Sequence, residues 1–258
     1  MKGIIIGAGR GIRMMPETKS YPKCLMDGLG GRRVLDWILD SLAGAGIDEI
    51  VFVGGYQIAK VQQACPDLRF YDNTEWPDNN ILESLMCASP EMETAFVASY
   101  SDIVYRRSVA RRLVSSTADV ALVVDRNWQE QYEGRTHHPE SQAEKVVVRD
   151  GRVVKIGKHI ASDRAYGEFI GLAKFSLQGA RMLHEHYWKI RDDYLSRTFH
   201  DAENIRKAYL TDMLQELVNV DVRVEPVDIH GDWAELDTPQ DLARARERLV
   251  AWGSEEQL

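Results

Sequence analysis

A glycine-rich segment near the start of the chain carries several cationic side chains. Three glycines follow a short apolar run, and four cations lie within one loop length of them: Gly7, Gly9, Gly11, Arg10, Arg13, Lys19 and Lys23. Glycine lets the backbone approach a polyphosphate closely and leaves its N–H groups unobstructed. Arg and Lys side chains bind phosphate oxygens. The segment therefore predicts a phosphate-binding loop.

This loop fits neither of two common nucleotide-binding signatures. The dinucleotide fingerprint G-x-G-x-x-G, counted from Gly7, places Ile12 where the third glycine is required. A Walker A loop ends in Gly-Lys-Ser or Gly-Lys-Thr, and neither tripeptide occurs in the sequence. An NAD-dependent oxidoreductase is therefore disfavoured.

Acidic residues occur at the ends of two predicted strands. Asp102 follows the predicted strand 95–99, at the carboxyl end where open α/β sheets bind ligands. Glu235 and Asp237 lie far downstream, and on a strand they would point to the same side. Asp237 is alternatively a helix N-cap, because Asp is a favoured cap and Pro239 suits the first helical turn. The residues taken alone favour the cap.

The elements around these residues alternate between strands and helices. Short β-branched runs predict buried strands, and apolar residues at helical spacing predict the helices between them. The predicted strands are 3–6, 50–53, 68–71, 95–99 and 120–124, and the predicted helices are 34–42, 58–64, 81–88 and 108–115. The alternation indicates an α/β fold with a doubly wound, mostly parallel sheet covered on both faces.

The pattern changes after Asp125. Two β-branched runs, 146–148 and 152–154, are joined by Asp150-Gly151, which predicts a β-hairpin. The chain is completed by predicted strands at 169–175 and 222–227 and predicted helices at 177–193, 204–218 and 239–250. No linker rich in glycine, serine or proline occurs, so residues 1–258 are expected to form one domain with two portions, 1–125 and 126–258.

The composition excludes several classes of protein. The 258 residues are 44% hydrophobic and 28% charged, as in an ordinary globular protein. A net charge of −8 argues against nucleic-acid binding. Cys24, Cys65 and Cys87 form no C-x-x-C pair, so neither disulfides nor a structural zinc site is expected, and a reducing cytoplasm fits best. No apolar run is long enough for a signal peptide or a membrane span.

The glycine loop resembles the nucleotidyltransferase family that includes sugar-1-phosphate nucleotidylyltransferases and the phosphocholine and phosphonate cytidylyltransferases. The resemblance is carried by Gly9-x-Gly11-x-Arg13, Pro16-x-Thr18 and Pro22-Lys23-x-Leu25, and it extends over most of the chain. It implies a Rossmann-like fold in which residues 1–125 bind an NTP and residues 126–258 bind an acceptor. The resemblance implies that Ala8, Gly9 and Gly11 wrap the NTP. It also implies that Arg13 holds the departing pyrophosphate and that Lys23 steadies the phosphate at the reacting centre.

The downstream acidic segment resembles the same family. Residues 233–242 match a W-x-E-[I/L]-D-T-x-x-D-L stretch whose first Asp is a magnesium ligand. The resemblance implies Mg²⁺ as the cofactor, Asp102 and Asp237 as its ligands, and Glu235 as a supporting or acceptor-side residue. The implied reaction is in-line attack by the anionic acceptor oxygen on the α-phosphorus, with Arg13, Lys23 and the metal absorbing charge.

Two further segments resemble the base-binding side of the phosphocholine and phosphonate cytidylyltransferase branch. They lie at 54–56 and 73–85, and the nucleotide contacts that they imply are Gly55, Tyr56, Asn79, Asn80 and Ser84. Asn side chains both donate to and accept from a pyrimidine edge, which favours CTP as the NTP. The alternative for Asn79 is a cap of the helix that begins near Ile81.

Segments 167–171 and 209–212 also resemble that branch. Sugar-nucleotide relatives more often carry an Asn and a Gly-Asp pair where this chain has Ile170 and Ser101. The resemblance therefore favours a small phosphorylated or phosphonylated acceptor of the phosphocholine, phospho-amino acid or aminophosphonate type.

An acceptor of this type would carry an ammonium group. Glu168 and Asp212 are expected to attract it, and a cation–π face is expected from one of three aromatic residues, Trp128, Tyr132 or Tyr166. The alternative is that these acidic residues are solvated and the aromatic residues belong to the core.

The histidines do not form a predicted site. His184 and His186 are two residues apart on a predicted helix, so they do not share a face as a metal-binding pair would. His137 and His138 lie in a polar loop, which indicates surface histidines.

Two other functions stay open from the sequence. One is a sugar-1-phosphate nucleotidylyltransferase that uses UTP, GTP or dTTP, since it would share the loop and the metal ligands. The other is a catalytically inactive nucleotide-sensing domain, although Arg13, Lys23, Asp102 and Asp237 are all present. A homodimer is compatible with the sequence.

Overall fold

The computed structural model describes residues 1–27 and 30–255, and a nine-stranded sheet forms its centre. The sheet strands are β1 (Lys2–Gly7), β2 (Glu49–Gly54), β3 (Arg69–Asp72), β4 (Phe96–Tyr100), β6 (Val120–Asp125), β7 (Lys145–Arg149), β8 (Arg152–Gly157), β9 (Gly167–Phe175) and β10 (Val224–Ile229). Two further strands, β5 (Ile103–Tyr105) and β11 (Trp233–Glu235), pair with each other in a separate ribbon. The helices are α1 (Val34–Ala43), α2 (Ile58–Ala64), α3 (Ile81–Cys87), α4 (Arg107–Ser115), α5 (Trp128–Tyr132), α6 (Leu177–Ile190), α7 (Leu210–Asn219) and α8 (Pro239–Glu255).

The order of the strands confirms the predicted α/β class with a mostly parallel sheet. The main path is β10-β6-β9-β4-β1-β2-β3, and β9 alone in this path runs antiparallel to its neighbours. The predicted hairpin is present as β7 and β8, and β7 also pairs with the start of β9. Because β9 lies between β4 and β6, the second half of the chain completes the sheet that the first half begins.

Both faces of the sheet are covered, which explains the continuous apolar run in β1. Ile5 packs into the apolar cluster beneath α1, α4 and α8, whereas Ile4 and Ile6 pack into the cluster beneath α3, α6 and α7. All three side chains are buried. A strand between two layers of helices must be apolar at every position, as the sequence of β1 is. Among the described helices, none is both long and apolar enough to cross a membrane.

The predicted helix at 204–218 is wrong as a single element. The structure has a 3-10 turn at Ile205–Lys207, extended backbone at Ala208 and Tyr209, and then α7. Asn204 accepts hydrogen bonds from the backbone N–H groups of Arg206 and Lys207 and caps the start of the 3-10 turn, and Asp212 accepts from the N–H of Tyr209 at the start of α7. Such side-chain caps interrupt a helix that the apolar spacing would allow to continue. The predicted helix 177–193 likewise ends at Ile190 and continues as a 3-10 turn.

The ribbon of β5 and β11 connects the middle of the chain to its end. The sequence does not predict β5, which contains only three residues. Trp233 pairs with Tyr105, Glu235 pairs with Ile103, and the backbone N–H of Leu236 donates to the carbonyl of Asp102 at 2.8 Å. The ribbon therefore places the residues that follow β4 beside those that follow β11.

A stability prediction follows from the close contact of β9 with β4. Gly171 has a φ of +85°, and a Cβ added there would collide with the ring of Tyr100. Gly134 also has a positive φ, +68°, but a Cβ there would meet open space. We expect Gly171→Ala to lower the free energy of unfolding by about 1–3 kcal/mol more than Gly134→Ala, because only the former overpacks the interior. Urea unfolding followed by circular dichroism measures both, and equal losses would contradict the prediction.

Candidate active site

A cleft of about 480 Å³ opens at the carboxyl ends of β1 and β4. Open α/β sheets bind their ligands at this edge. Most of the site residues predicted from the sequence line the cleft: Ala8, Gly9, Gly11, Arg13, Lys23, Asn79, Asn80, Ser84, Asp102, Glu168, Glu235 and Asp237. Gly55, Tyr56 and Asp212 do not line it.

The glycine loop folds back over Lys23. Gly11 has a φ of +64°, and a Cβ at this position would lie 3.3 Å from the Cε of Lys23. The Thr18 hydroxyl donates to the carbonyl of Gly11 at 2.7 Å and fixes the return of the loop. Gly9 has no atom near the position of a Cβ, so its backbone stays open toward the cleft. Gly9 thus lets a ligand approach the backbone closely, and Gly11 adopts the left-handed conformation that the turn requires.

Lys23 connects the two carboxylates that the sequence places far apart. Its Nζ lies 2.9 Å from Asp102 Oδ2 and 2.6 Å from Asp237 Oδ1. Lys23 is only 9% exposed. Burial alone lowers the pKa of Lys23, but the charges of Asp102 and Asp237 outweigh it and raise the pKa above its ordinary value. The amine therefore stays protonated at neutral pH.

Asp237 is surrounded by three donors. Besides Lys23, its carboxylate contacts Arg13 Nη2 at 2.8 Å and His138 Nδ1 at 2.9 Å. Burial raises the pKa of Asp237, but the charge of Lys23, the hydrogen bond of His138 and the charge of Arg13 together hold it far below its usual range. Asp237 is therefore ionised, although only 3% of it is exposed.

The N-cap alternative for Asp237 is wrong. Helix α8 begins at Pro239 and is capped by Thr238, whose hydroxyl accepts from the backbone N–H of Asp241 at 3.3 Å, while the N–H of Thr238 donates to Asp241 Oδ2 at 2.8 Å. The carboxylate of Asp237 points instead to Lys23 and its neighbours. The cap alternative for Asn79 is also wrong, because the side chain of Asn80 accepts from the N–H of Ile81 and caps α3.

His138 is a site residue that the sequence does not identify. It is 4% exposed, and its Nδ1 lies 3.2 Å from Arg13 Nη1 in addition to its contact with Asp237. The preceding loop is attached to α8, because the N–H groups of Thr136 and His137 both face Gln240 Oε1. The expectation of a surface histidine is therefore wrong for His138. A polar loop has no periodicity from which burial could be predicted.

The site can accommodate a divalent cation. Asp102 and Asp237 each present an oxygen within 3 Å of the same Lys23 nitrogen. His138, Glu235 and Asp237 bring one ligand atom each within 4.8 Å of one another. Carboxylate oxygens are the ligands that Mg²⁺ takes in proteins, so the residues present fit this ion.

The predicted base-side residues divide into two groups. Asn79 exchanges hydrogen bonds with Asn73, at 2.8 and 2.9 Å, and Asn73 also donates to the hydroxyl of Ser84 at 2.9 Å. Asn79 and Ser84 line the cleft, and Asn73 is buried and connects them. Gly55 and Tyr56 lie behind the glycine loop: a Cβ on Gly55 would lie 2.8 Å from Trp76, and the Tyr56 hydroxyl donates to the Lys19 carbonyl at 2.7 Å. They support the loop and do not face the cavity.

The two predicted acceptor carboxylates have different surroundings. Glu168 is 4% exposed; its Oε1 accepts from the Tyr132 hydroxyl at 2.5 Å, and its Oε2 has no hydrogen-bond partner in the described part of the chain. Burial and the charge of Glu235 raise the pKa of Glu168 well above its usual range. Asp212 accepts from the N–H of Tyr209 at 2.7 Å and caps α7, so its carboxylate is already used.

The three aromatic residues expected to face an acceptor cation already face cations of the protein. Trp128 faces Lys145, Tyr132 faces Arg135 and Tyr166 faces Arg126, at 5.9, 5.2 and 3.6 Å from the ring centroids. None of the three lines the cleft among the residues the structure describes. The alternative is correct in part, because Trp128 and Tyr132 are buried in the core and Tyr166 is half-buried. Its expectation of solvated carboxylates is wrong, because Glu168 and Asp212 are buried.

A buried lysine between two carboxylates, beside a cationic glycine loop at the carboxyl edge of a parallel sheet, is suited to binding and cleaving a nucleoside triphosphate. The fold and this site define a nucleotidyltransferase. The chain belongs to the MobA-like NTP transferase family, whose domain matches residues 3–169.

Individual proteins are similar over nearly the whole chain. A CTP:phosphoglutamine cytidylyltransferase of Campylobacter jejuni is 31% identical over 94% of this chain and 98% of its own length. A 2-aminoethylphosphonate cytidylyltransferase of Lancefieldella rimae is 26% identical over 93% of this chain and 89% of its own length. The solved structure of an inositol-1-phosphate CTP transferase from T. maritima superimposes with a TM-score of 0.76, at 20% identity over 96% of this chain and 94% of that one, and shares the fold.

The contacts of Lys23 predict a large effect of its removal on stability. Lys23→Met leaves the carboxylates of Asp102 and Asp237 without their shared cation, and breaking a buried ion pair costs about 3–5 kcal/mol. We expect a loss of about 3 kcal/mol in the free energy of unfolding, measured by urea denaturation in a chelator. Lys19→Met, in the same loop but exposed, is the control and should change stability by less than about 0.5 kcal/mol. A loss as small as that of the control would mean that Lys23 does not bridge Asp102 and Asp237.

Proposed function

We propose that the protein is a Mg²⁺-dependent cytidylyltransferase that transfers CMP from CTP to a small phosphorylated or phosphonylated acceptor and releases pyrophosphate. The observation that carries this proposal is the convergence of Asp102, Lys23 and Asp237 at the inner end of the glycine loop. One cleft therefore contains a cation that can bind phosphates and carboxylate oxygens of the kind that bind Mg²⁺.

The choice of CTP is supported by the relatives and by the cleft. Both curated relatives described above are cytidylyltransferases by name, and they match this chain over nearly its full length. Asn79 and Ser84 line the cleft, and their amide and hydroxyl groups can donate to and accept from a pyrimidine edge.

The residues of the site fit the charge changes of the reaction. Lys23 is buried and protonated, so it places a fixed positive charge where negative charge develops on the α-phosphate. Arg13 has a side chain that is 56% exposed, so it can leave Asp237 and hold the departing pyrophosphate. When bound by Asp102 and Asp237, Mg²⁺ supplies further positive charge to the phosphate oxygens. The acceptor oxygen is already an anion, and no general base is required.

The acceptor is proposed to carry an amine as well as its phosphoryl or phosphonyl group. Glu168 lines the cleft, and its Oε2 is buried without a hydrogen-bond partner in the described residues. A buried oxygen of this kind is costly unless a ligand donates to it, and an ammonium group would do so. The names of the two curated relatives specify phosphoglutamine and 2-aminoethylphosphonate, both of which contain an amine.

A pyrophosphate-release assay tests the donor, the metal and the acceptor class together. We expect release from CTP but not from ATP, GTP or UTP, with Mg²⁺ but not with a chelator. The acceptor panel is phosphocholine, 2-aminoethylphosphonate, phosphoglutamine and glucose-1-phosphate, and only an amine-bearing acceptor should support release. Turnover of glucose-1-phosphate with UTP would contradict the proposal in favour of a sugar-1-phosphate enzyme. CTP binding without turnover of any acceptor would indicate a sensing domain.

Substitution of the two proposed metal ligands provides a separate prediction. Asp102→Asn and Asp237→Asn should each lower kcat by at least about 100-fold, because transition-state charge is then less well neutralised. Isothermal titration of Mn²⁺ in the presence of CTP should show weaker metal binding in both variants. Asp67→Asn, at an exposed site outside the cleft, should change neither quantity. Normal metal affinity in Asp237→Asn would exclude this residue as a ligand.

A further inference from the structure

The end of the β7–β8 hairpin places two opposite charges in the same cleft. Lys145 pairs with Gly157 across the hairpin, so the adjoining residues Glu144 and Lys158 face each other where the two strands end. On its other side, Glu144 accepts a backbone hydrogen bond from the N–H of Phe169 at 2.8 Å. Both Glu144 and Lys158 line the cleft. Both side chains therefore border one cleft, where a small ligand can reach them.

Glu144 is buried without a cationic partner. It is 9% exposed, and its Oε2 accepts from the Tyr100 hydroxyl at 3.2 Å. Burial raises the pKa of Glu144 to about 7, although the charge of Lys158 and the Tyr100 hydrogen bond oppose that rise. In the described part of the chain it forms no ion pair within 4 Å. A carboxylate in this situation is stabilised by a cation that enters the cleft.

Lys158 likewise forms no ion pair within 4 Å in the described part of the chain. It is half-buried, and its Nζ lies 3.9 Å from the centroid of the Tyr209 ring, which also lines the cleft. Within the described ranges, no hydrogen bond or ion pair to this ammonium group is present. The ring holds the group in place but does not neutralise it, so the charge is available to an anionic ligand.

A ligand with only one charge would satisfy only one of these residues. A choline or simple amine group would pair with Glu144 and leave Lys158 unpaired. A group with an ammonium and a carboxylate on the same carbon would offer a counter-charge to both residues of the cleft. Tyr100, which donates to Glu144, and Asp102 line the same cleft, so this group would share the cleft with the proposed metal ligand.

We propose that this end of the cleft recognises the α-amino acid part of the acceptor, in which Glu144 and Glu168 share its ammonium group and Lys158 binds its carboxylate. The inference rests on the proposed function and narrows its acceptor to phosphorylated amino acids. Glu144 and Lys158 would then determine acceptor specificity, although they belong to neither the glycine loop nor the proposed metal site.

The test compares acceptors that differ only in the carboxylate. Phosphoserine is paired with phosphoethanolamine, and phosphoglutamine is paired with its decarboxylated form, in the CTP-dependent pyrophosphate assay. In at least one pair, the amino acid should have a kcat/KM at least about tenfold higher, because a hydrogen bond to a charged group discriminates by this factor or more. Equal or lower values for the amino acid in both pairs would overturn the inference, and activity with any other amine-bearing acceptor would leave the proposed function standing. No turnover with any acceptor would mean that the proposed function itself fails.

Variants then assign the two contacts. Lys158→Met keeps a side chain over the Tyr209 ring and should reduce the preference for the carboxylate-bearing acceptor by about 10- to 100-fold, whereas Lys158→Arg should retain much of it. Glu144→Gln should raise the KM for both members of a pair, since both carry the ammonium group. Lys155→Met, at an exposed position on β8 outside the cleft, should leave the preference unchanged. A preference that survives in Lys158→Met, with its fold verified by circular dichroism, would overturn the role of Lys158.

Discussion

The site depends on one buried amine that holds two carboxylates together. Lys23 comes from the first loop, Asp102 follows β4, and Asp237 follows β11, so the ion pairs join the start, the middle and the end of the chain. The β5–β11 ribbon brings the two acidic segments side by side, and the amine prevents their charges from repelling each other. Burial makes this interaction strong, because charges removed from water are screened little.

The surroundings of Asp237 indicate how the site would change when it is loaded. Lys23 and His138 are almost fully buried, whereas the side chain of Arg13 is more than half exposed. Of the three donors around this carboxylate, Arg13 is therefore the one that is free to move to a triphosphate. A cation bound at Asp237 would replace the charge that Arg13 supplies, which couples metal binding to pyrophosphate binding in the proposed mechanism.

Local patterns in the sequence predict most of the fold and the residues of the central site. The apolar spacing of α1 and the β-branched run of β1 are strong signals because each element buries a regular face. The remaining features depend on tertiary contacts. The break before α7 arises from caps at Asn204 and Asp212, and it is the cap that removes Asp212 from the cleft. The burial of His138 depends on Gln240, about a hundred residues away, and a pattern read along the chain cannot include such a contact.

The most direct test of the shared metal and phosphate site is electron paramagnetic resonance of Mn²⁺ with a CTP analogue whose α–β bridge cannot be cleaved. We predict one Mn²⁺ bound per chain in the ternary complex, with broadening by ¹⁷O-labelled phosphates, and loss of this signal in Asp237→Asn. Mn²⁺ that binds equally well in that variant, or that shows no coupling to the labelled phosphates, would contradict the account.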